Sequence, residues 1–290
     1  LLSSSKSPNI AEFFFKHIVA SDYFSIPEES NSFGDELFRA GEYKLASIEY
    51  LREYSFTMDD NTKLKLALSY IKNCEYDKGK SVLSEILTSE IPDIRSQAQK
   101  LLGFLYMREN NFSSAMFEFL DLKKREENPL GKLELSYWLG WVYLLQFDFQ
   151  DAEKEFSSVA SEHSYDNPFY TSAYILSREI KNNVDEFDYR SPQLARWLSA
   201  ILPGAGQIYT GNYIDGAISF VINGTFGYLT FSSLLAKKYF QSLVYFYFLF
   251  ARYYFGSGDN AYRLANEFNK EKKESFVREL ITAHLKWQKD

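Results

Sequence analysis

Residues 139–156, LGWVYLLQFDFQDAEKEF, carry the pattern that decides the fold of this chain. Gly140 and Ala152 are small, and large apolar side chains such as Phe156 recur three or four positions from them. This spacing places the small and the large residues on one face of a helix, so that two helices can approach closely. The stretch therefore predicts a pair of packed helices with a turn around Phe147.

The same frame occurs three more times upstream, at a period of about 33–37 residues, which is typical of stacked helix pairs. The small residues of the four copies are Gly34 and Ala46, Ala67 and Gly79, Gly103 and Ala115, and Gly140 and Ala152. We expect turns at residues 40–42, 73–75, 109–111 and 146–148. The pattern predicts an all-α helical solenoid over residues 30–182, preceded by an N-terminal helical segment over 1–29 and closed by a capping helix at residues 169–181.

The frame resembles the tetratricopeptide repeat family over about residues 30–165, although the Trp expected early in each repeat and the Pro expected at its end are mostly absent. The resemblance implies a peptide-binding groove along the first helix of each pair. Projected onto this chain, the groove residues are Asn61, Lys65, Lys72, Lys100, Phe104, Arg108, Trp138 and Trp141. Basic and aromatic side chains together suit an acidic or C-terminal peptide of a protein partner. Alternatively, Lys65 and Lys72 form a solvated helix face, and Trp138 and Trp141 only pack against the next helix pair.

Residues 191–258 differ in composition from everything before them. From Trp197 to Ala236 the only charged side chain is Asp215, in a chain where 24% of residues are charged. Residues 216–236 offer an uncharged run long enough to cross a hydrocarbon layer of about 30 Å, and a second apolar run follows Lys237-Lys238. We expect a helical hairpin that is embedded in a membrane through residues 213–258. The alternative is a soluble hairpin buried against the C-terminal helix.

The segment that enters the hairpin, LPGAGQIYTGN at 202–212, is rich in glycine. No strand precedes it and no Lys-Ser/Thr follows it, which argues against a nucleotide loop. We expect its glycines to serve backbone geometry and its polar side chains to satisfy backbone atoms. The residues assigned to the hairpin motif are Pro203, Gly204, Gly206, Gln207, Tyr209, Gly211, Asp215, Gly216, Asn223 and Arg252.

A turn at Lys237-Lys238 would place two polar residues of the hairpin side by side. Counting outward from it, Asn223 lies level with Arg252, each 14 residues from the nearer lysine, and Asp215 falls near Asn260. An arginine inside a membrane seeks a polar partner, so we expect Asn223 to form a hydrogen bond with Arg252.

The motif, over about residues 190–270, is similar to the two-helix segments with a PGxGQxYxG pattern in uncharacterised bacterial envelope proteins, some of which carry tetratricopeptide repeats. The resemblance implies a bacterial origin and an envelope location, and it brings no catalytic residue. We assign residues 183–265 to the hairpin module and 266–290 to an amphipathic C-terminal helix. A chain that begins at Leu1 agrees with a removed leader, although no signal peptide is visible. We favour a periplasmic location for the repeats, but the basic residues that flank the hairpin would instead place them in the cytoplasm.

The remaining composition argues against several classes of function. A net charge of −7 argues against general nucleic-acid binding. The three histidines are far apart and Cys74 has no nearby histidine, so the sequence predicts no metal, no cofactor and no catalytic residue. We therefore expect a non-enzymatic scaffold that binds a protein partner and is tethered to a membrane. The alternative is a structural subunit of a larger envelope assembly, and the oligomeric state stays open.

Overall fold

The computed structural model of this chain describes residues 9–20, 24–26, 32–162, 168–184 and 187–284. All regular structure in these ranges is helical, so the predicted all-α class is confirmed. The chain divides into two compact units, one formed by residues 1–185 with 277–290 and the other by residues 186–276. We call them the array unit and the hairpin unit.

Consecutive helices of the array unit contact one another in chain order from α2 to α10, and α1 packs against α6. The helices are α1 (Ile10–Val19), α2 (Phe33–Arg39), α3 (Tyr43–Thr57), α4 (Asp60–Lys72), α5 (Tyr76–Ile86), α6 (Pro92–Arg108), α7 (Phe112–Arg125), α8 (Pro129–Leu145), α9 (Phe149–Ser161) and α10 (Tyr170–Val184). The predicted capping helix at residues 169–181 corresponds to α10. Residues 1–8 and 27–29 of the predicted N-terminal segment, together with residues 21–23, lie outside the described residues.

The turns inside the four helix pairs have one geometry. Their central residues Gly41, Cys74, Asn110 and Phe147 are left-handed, with φ of 81°, 63°, 58° and 63°. In each turn the next residue donates its N–H to a carbonyl five positions back, as Asp148 does to the Tyr143 carbonyl at 3.0 Å. This bond is the mark of a helix that ends in a Schellman motif, and it satisfies a carbonyl that the helix itself leaves open. The four predicted turns are confirmed.

Side-chain caps and prolines start several of these helices. Ser32 and Asp35 form a reciprocal capping box at the start of α2, and the Asp59 and Asp148 carboxylates accept backbone N–H bonds at the starts of α4 and α9. Prolines occupy the first turn of α6 and α8, where the missing N–H costs nothing.

Small residues hold each pair together at short distance. A Cβ on Gly140 would lie 2.7 Å from the Phe156 ring, and one on Gly103 would lie 2.7 Å from the Phe119 ring. Since real Cβ atoms do not approach so closely, the aromatic ring of the second helix occupies the space that glycine leaves on the first. The expected role of the small positions is confirmed at these two pairs.

The hairpin unit begins with two short helices, α11 (Pro192–Ile201) and α12 (Ala205–Tyr209), followed by α13 (Tyr213–Leu235) as the first arm. The turn lies at the predicted lysine pair, with Lys237 left-handed at φ 58°. The second arm consists of α14 (Tyr239–Val244), a π-helical stretch (Tyr245–Phe250) and α15 (Ala251–His284). The predicted boundary at 265/266 lies inside α15, because nothing in the sequence there ends the helix.

Candidate functional site

The aromatic residues predicted to line a peptide groove are buried. Phe104, Trp138 and Trp141 are each 0% exposed, and they pack in the interior of the array. Phe104 and Trp138 stack edge to face at 4.8 Å between ring centroids, which joins α6 to α8. The prediction that these three side chains face an open groove is therefore wrong, and the alternative, in which the tryptophans pack against neighbouring helices, describes them.

The chain's own N-terminal segment covers this face. The Phe14 ring of α1 lies 5.0 Å from the Trp141 ring, and the Phe24 ring lies 5.9 Å from the Phe104 ring. The carbonyl of Val19 accepts a hydrogen bond from the Lys72 Nζ. Phe14, Val19 and Phe24 thus contact the first helices of three successive pairs, where the sequence predicted an external peptide. The repeat frame could not reveal this, because it says nothing about segments outside the repeats.

The basic groove residues make contacts within the array. Lys65 Nζ lies 3.0 Å from the buried Asp35 carboxylate, and Lys100 Nζ lies 2.6 Å from the Glu134 carboxylate. The Arg108 guanidinium lies 3.7 Å from the centre of the Tyr76 ring. These contacts join different helices, so neither a free groove nor a solvated face describes Lys65, Lys72, Lys100 or Arg108. Asn61 is exposed at the start of α4.

Asp35 is also a buried contact of the first helix pair, α2 and α3. It is 0% exposed and accepts a hydrogen bond from the Tyr50 hydroxyl at 2.7 Å. Burial of the tyrosine and the adjacent carboxylate raise the pKa of Tyr50 well above its ordinary value. Tyr50 therefore stays protonated and serves as a structural hydrogen-bond donor.

Gln207 is the hub of the hairpin motif. It is 1% exposed, its Oε1 accepts a hydrogen bond from the Ser199 hydroxyl at 2.8 Å, and its Nε2 donates to the Ser257 carbonyl at 3.1 Å. Ser199 and Ser257 in turn accept backbone N–H bonds from Gly206 and Gly204. The network joins α11, α12 and α15 through buried and satisfied polar groups, which fix one arrangement of these helices. The expectation that Gln207 satisfies backbone atoms is confirmed.

The glycines of the motif have two different tasks. Gly204 and Gly211 are left-handed, at φ 99° and 85°, as expected for loop glycines. Gly206 instead allows α11 and α12 to approach each other closely, because a Cβ on it would lie 1.9 Å from the Ala195 carbonyl oxygen. Gly216 has the same task, since a Cβ on it would lie 2.6 Å from the Ile208 side chain.

The motif residues Tyr209 and Pro203 lie where α11 and α12 begin or end. The Tyr209 hydroxyl accepts the Ser191 N–H at 3.2 Å, which ties the start of α11 to the end of α12. Pro203 lies between the end of α11 at Ile201 and the start of α12 at Ala205.

The predicted hydrogen bond between Asn223 and Arg252 is not formed. The Asn223 Nδ2 donates to the Ser219 carbonyl at 2.8 Å, within its own helix. The two hairpin arms are joined one turn away instead, where the Ser219 and Ser257 hydroxyls lie 2.7 Å apart. Asn223 and Arg252 nevertheless line the same cleft, so the predicted register brings them to one place without direct contact.

This cleft, which we call the polar cleft, has a volume of about 430 Å³ and lies between α13 and α15. Its polar lining consists of Gln207, Asp215, Ser219, Asn223, Arg252, Ser257 and Asn260. Ile218 and Ile222 form part of its apolar wall. The described residues supply no ion pair to Arg252 or Asp215, although both side chains lie in the cleft.

The outer surface of the hairpin is apolar and exposed. In the described part of the chain, Tyr213–Leu235 is the one helix long and apolar enough to cross a membrane. Only 11% of its most apolar 18-residue stretch is buried. Val221, Phe231 and Leu235 are 62%, 60% and 68% exposed. The alternative of a hairpin buried against the C-terminal helix does not describe these side chains.

No group of three or more His, Cys, Asp or Glu side chains within the described ranges is placed to hold a metal ion. Cys74 is exposed, in the turn between α4 and α5. Comparison with known protein families and with curated proteins found no match to this chain.

Proposed function

We propose that this chain is a non-enzymatic scaffold, resembling tetratricopeptide repeat proteins, that binds a protein partner and is tethered to a bacterial membrane by its hairpin. The observation that carries the proposal is the exposed apolar surface of α13. Large side chains exposed in such density cost solubility unless lipid or protein covers them. Its length of 23 residues corresponds to about 34 Å of helix, which matches the hydrocarbon thickness.

A partner surface remains free on the array although α1 covers the predicted groove. Leu45, Ile48 and Leu51 lie on one side of α3 and are 48%, 56% and 51% exposed. Phe56 at the end of the same helix is 80% exposed. An apolar stripe on one helix of an array fits a partner that presents an amphipathic helix.

A reciprocal pair of variants tests the two halves of the proposal. Val221→Glu with Phe231→Glu places two charges on the outer face of α13, and a charge at the centre of a membrane helix costs up to about 3 kcal/mol. We expect flotation of the full chain with liposomes to be lost while the partner is still captured by crosslinking. Leu51→Glu with Phe56→Glu should abolish capture of the partner by crosslinking and leave flotation with liposomes unchanged. Flotation that survives the first pair would contradict membrane insertion.

The second candidate function is a structural subunit of an envelope assembly, with the hairpin packed on partner proteins. The same exposed face supports it, since protein can cover an apolar helix as well as lipid can. In that case the wild-type chain would not float with protein-free liposomes, and the α13 variants would abolish crosslinks to the partner. For the envelope location we favour repeats on the periplasmic side, and protease digestion of intact spheroplasts distinguishes this from cytoplasmic repeats.

A further inference from the structure

We propose that α11 and α12 form a re-entrant segment, which enters the bilayer beside the hairpin and leaves it on the same side. The outer face of this segment, defined by Trp197, Ile201 and Leu202, contacts the acyl chains of the lipid. The inference rests on the proposed membrane insertion of the hairpin, and it extends the lipid contact to the glycine-rich entry segment.

The direction of α11 follows from its contacts with α15. A Cβ on Gly258 would lie 3.4 Å from the Arg196 side chain, and the Ala200 carbonyl accepts a hydrogen bond from the Tyr254 hydroxyl. Later residues of α11 thus meet earlier residues of α15, so the two helices are antiparallel. Since α13 is the other arm of the hairpin and is also antiparallel to α15, α11 and α13 run in the same direction. If α13 crosses the bilayer, α11 therefore points into it and does not lie flat on its surface.

The same contacts give the depth that α11 reaches. The hydroxyl of Ser257, the neighbour of Gly258, lies 2.7 Å from the Ser219 hydroxyl of α13. Arg196 is therefore level with about position 218 of α13, and Ala200 with about position 222. Because the uncharged run of the hairpin begins at position 216, the end of α11 lies about 9 Å beyond the start of that run.

The second half of the segment returns to the starting side. The Tyr209 hydroxyl, at the end of α12, accepts the N–H of Ser191 at the start of α11 at 3.2 Å. The turn between the two helices packs against α13, since a Cβ on Gly204 would lie 2.2 Å from the Gly216 carbonyl oxygen. The two ends of the segment therefore lie together, and its turn lies beside the first arm of the hairpin.

The outer face of the segment is apolar and uncovered at this depth. Trp197 is 68% exposed and Ile201 is 81% exposed, and Leu202 continues the same exposed surface. Residues 197–214 contain no charged side chain, and Arg196 forms an ion pair with Asp259 where the uncharged stretch begins. The face lies beside the exposed apolar surface of α13, so the lipid that surrounds α13 would also cover it.

The backbone of the turn is prepared for a place without water. In a bilayer every N–H group needs a partner within the protein, and residues 202–206 meet this requirement. Two of their N–H groups donate to carbonyls of the preceding turn at 2.9 Å, and Pro203 has none. The Gly204 and Gly206 N–H groups donate to the buried hydroxyls of Ser257 and Ser199, at 3.3 and 3.0 Å. The buried serines thus do for this turn what water does for a loop on a protein surface.

The accessibility of two exposed positions of α11 tests the depth. In a chain with Cys74→Ser, the substitutions Ile201→Cys and Gln193→Cys each supply a single thiol, at the end and in the first turn of the helix. After insertion into preformed liposomes, we expect a membrane-impermeant maleimide to label Gln193→Cys and to label Ile201→Cys only when detergent is added. Gln193→Cys is the matched control, because it lies about 12 Å nearer the surface on the same helix.

Tryptophan fluorescence identifies what covers the outer face. In liposomes whose lipids carry bromine on the acyl chains, Trp197→Phe should remove most of the quenching of the wild-type chain. The control Trp138→Phe alters a tryptophan that is 0% exposed inside the array and should leave the quenching unchanged.

Labelling of both thiols in intact liposomes would overturn the inference. Protection of Ile201→Cys without quenching of Trp197 would also overturn it, because protein and not lipid would then cover α11. Flotation is measured on the same variants, so that insertion is tested separately. A chain that floats while Ile201→Cys is labelled contradicts only this inference, whereas one that does not float contradicts the proposed function.

Discussion

At the residue scale, the glycines of this chain occupy three kinds of environment that the sequence alone does not distinguish. Gly41 and Gly204 are left-handed, Gly140 and Gly206 make room for a neighbouring atom, and Gly224 has nothing within 4 Å of its missing Cβ. Conversely, Cys74 and Phe147 are left-handed without being glycine. The common frame predicted their turns correctly because the bond to the helix carbonyl, and not the residue type, defines the geometry.

The two helical glycines Gly206 and Gly224 give opposite expectations for the same substitution. Gly206→Ala places a Cβ 1.9 Å from the Ala195 carbonyl oxygen, so α11 and α12 must separate, and we expect a loss of about 2–3 kcal/mol. Gly224→Ala meets no atom and should be neutral or stabilising by up to about 1 kcal/mol through helix propensity. Thermal melting in detergent measures both. Equal destabilisation by the two variants would contradict the close contact at Gly206.

At the element scale, α1 is the feature that repeat periodicity could not anticipate. Its sequence, IAEFFFKHIV, is amphipathic, and this predicts a buried face without saying which surface covers it. The array presents Trp141 and Phe104 on the first helices of its pairs, and α1 brings aromatic side chains to them. Under the proposed scaffold function, a partner would therefore bind elsewhere on the array or displace α1.

Phe14→Ala should release α1 from the array. Removing a buried phenylalanine costs about 3–5 kcal/mol, and Phe14 is 1% exposed against Trp141. We expect a red shift of tryptophan fluorescence as water reaches Trp141, together with faster proteolysis within residues 10–19. The control Lys16→Ala alters an exposed residue of the same helix and should change stability by less than about 0.5 kcal/mol. Unchanged fluorescence in Phe14→Ala would show that α1 does not shield this tryptophan.

The end of α15 in the array unit should loosen in mild acid. His284 is 6% exposed, and burial lowers its pKa below the ordinary value of 6.5, although Glu179 opposes this shift. A group with a lowered folded-state pKa contributes stability that is present above its unfolded pKa and is lost as the pH falls through that value toward the folded one. We expect hydrogen-exchange protection of residues 277–284 to fall between about pH 7 and 5. His284→Gln should lose this pH dependence, and a persisting dependence would assign it to another group.

At the scale of the whole molecule, the two units differ in what stabilises them. The array unit buries large aromatic and aliphatic side chains, whereas the hairpin unit has a small buried apolar cluster of Ala195, Ala261 and Ala265 next to the Gln207 network. The hairpin unit leaves much of its apolar surface outside. Its stability should therefore depend on detergent or lipid far more than that of the array.

Thermal unfolding of the full chain should accordingly show two transitions, of which one responds to the detergent. Gly140→Ala should lower the midpoint temperature of the detergent-independent transition, because the new Cβ would lie 2.7 Å from the Phe156 ring inside the array. Gly206→Ala should lower only the midpoint temperature of the detergent-dependent transition. Calorimetry of both variants in two detergents measures this. A single transition that both variants shift alike would show that the chain unfolds as one cooperative unit.

The sequence by itself determined the local features: the helical class, the four turns, the entry segment of the hairpin at 202–212 and the turn of the hairpin at the lysine pair. Such features follow from residue spacing and from backbone geometry, which act between neighbours in the chain. Only the tertiary structure decided which buried face meets which. Phe14 packs against Trp141 where a foreign peptide was expected. Asn223 donates a hydrogen bond to the Ser219 carbonyl and not to Arg252, and Arg252 lines the polar cleft. Periodicity fixes that a face is apolar or polar, but the partner of that face depends on contacts between residues far apart in the sequence.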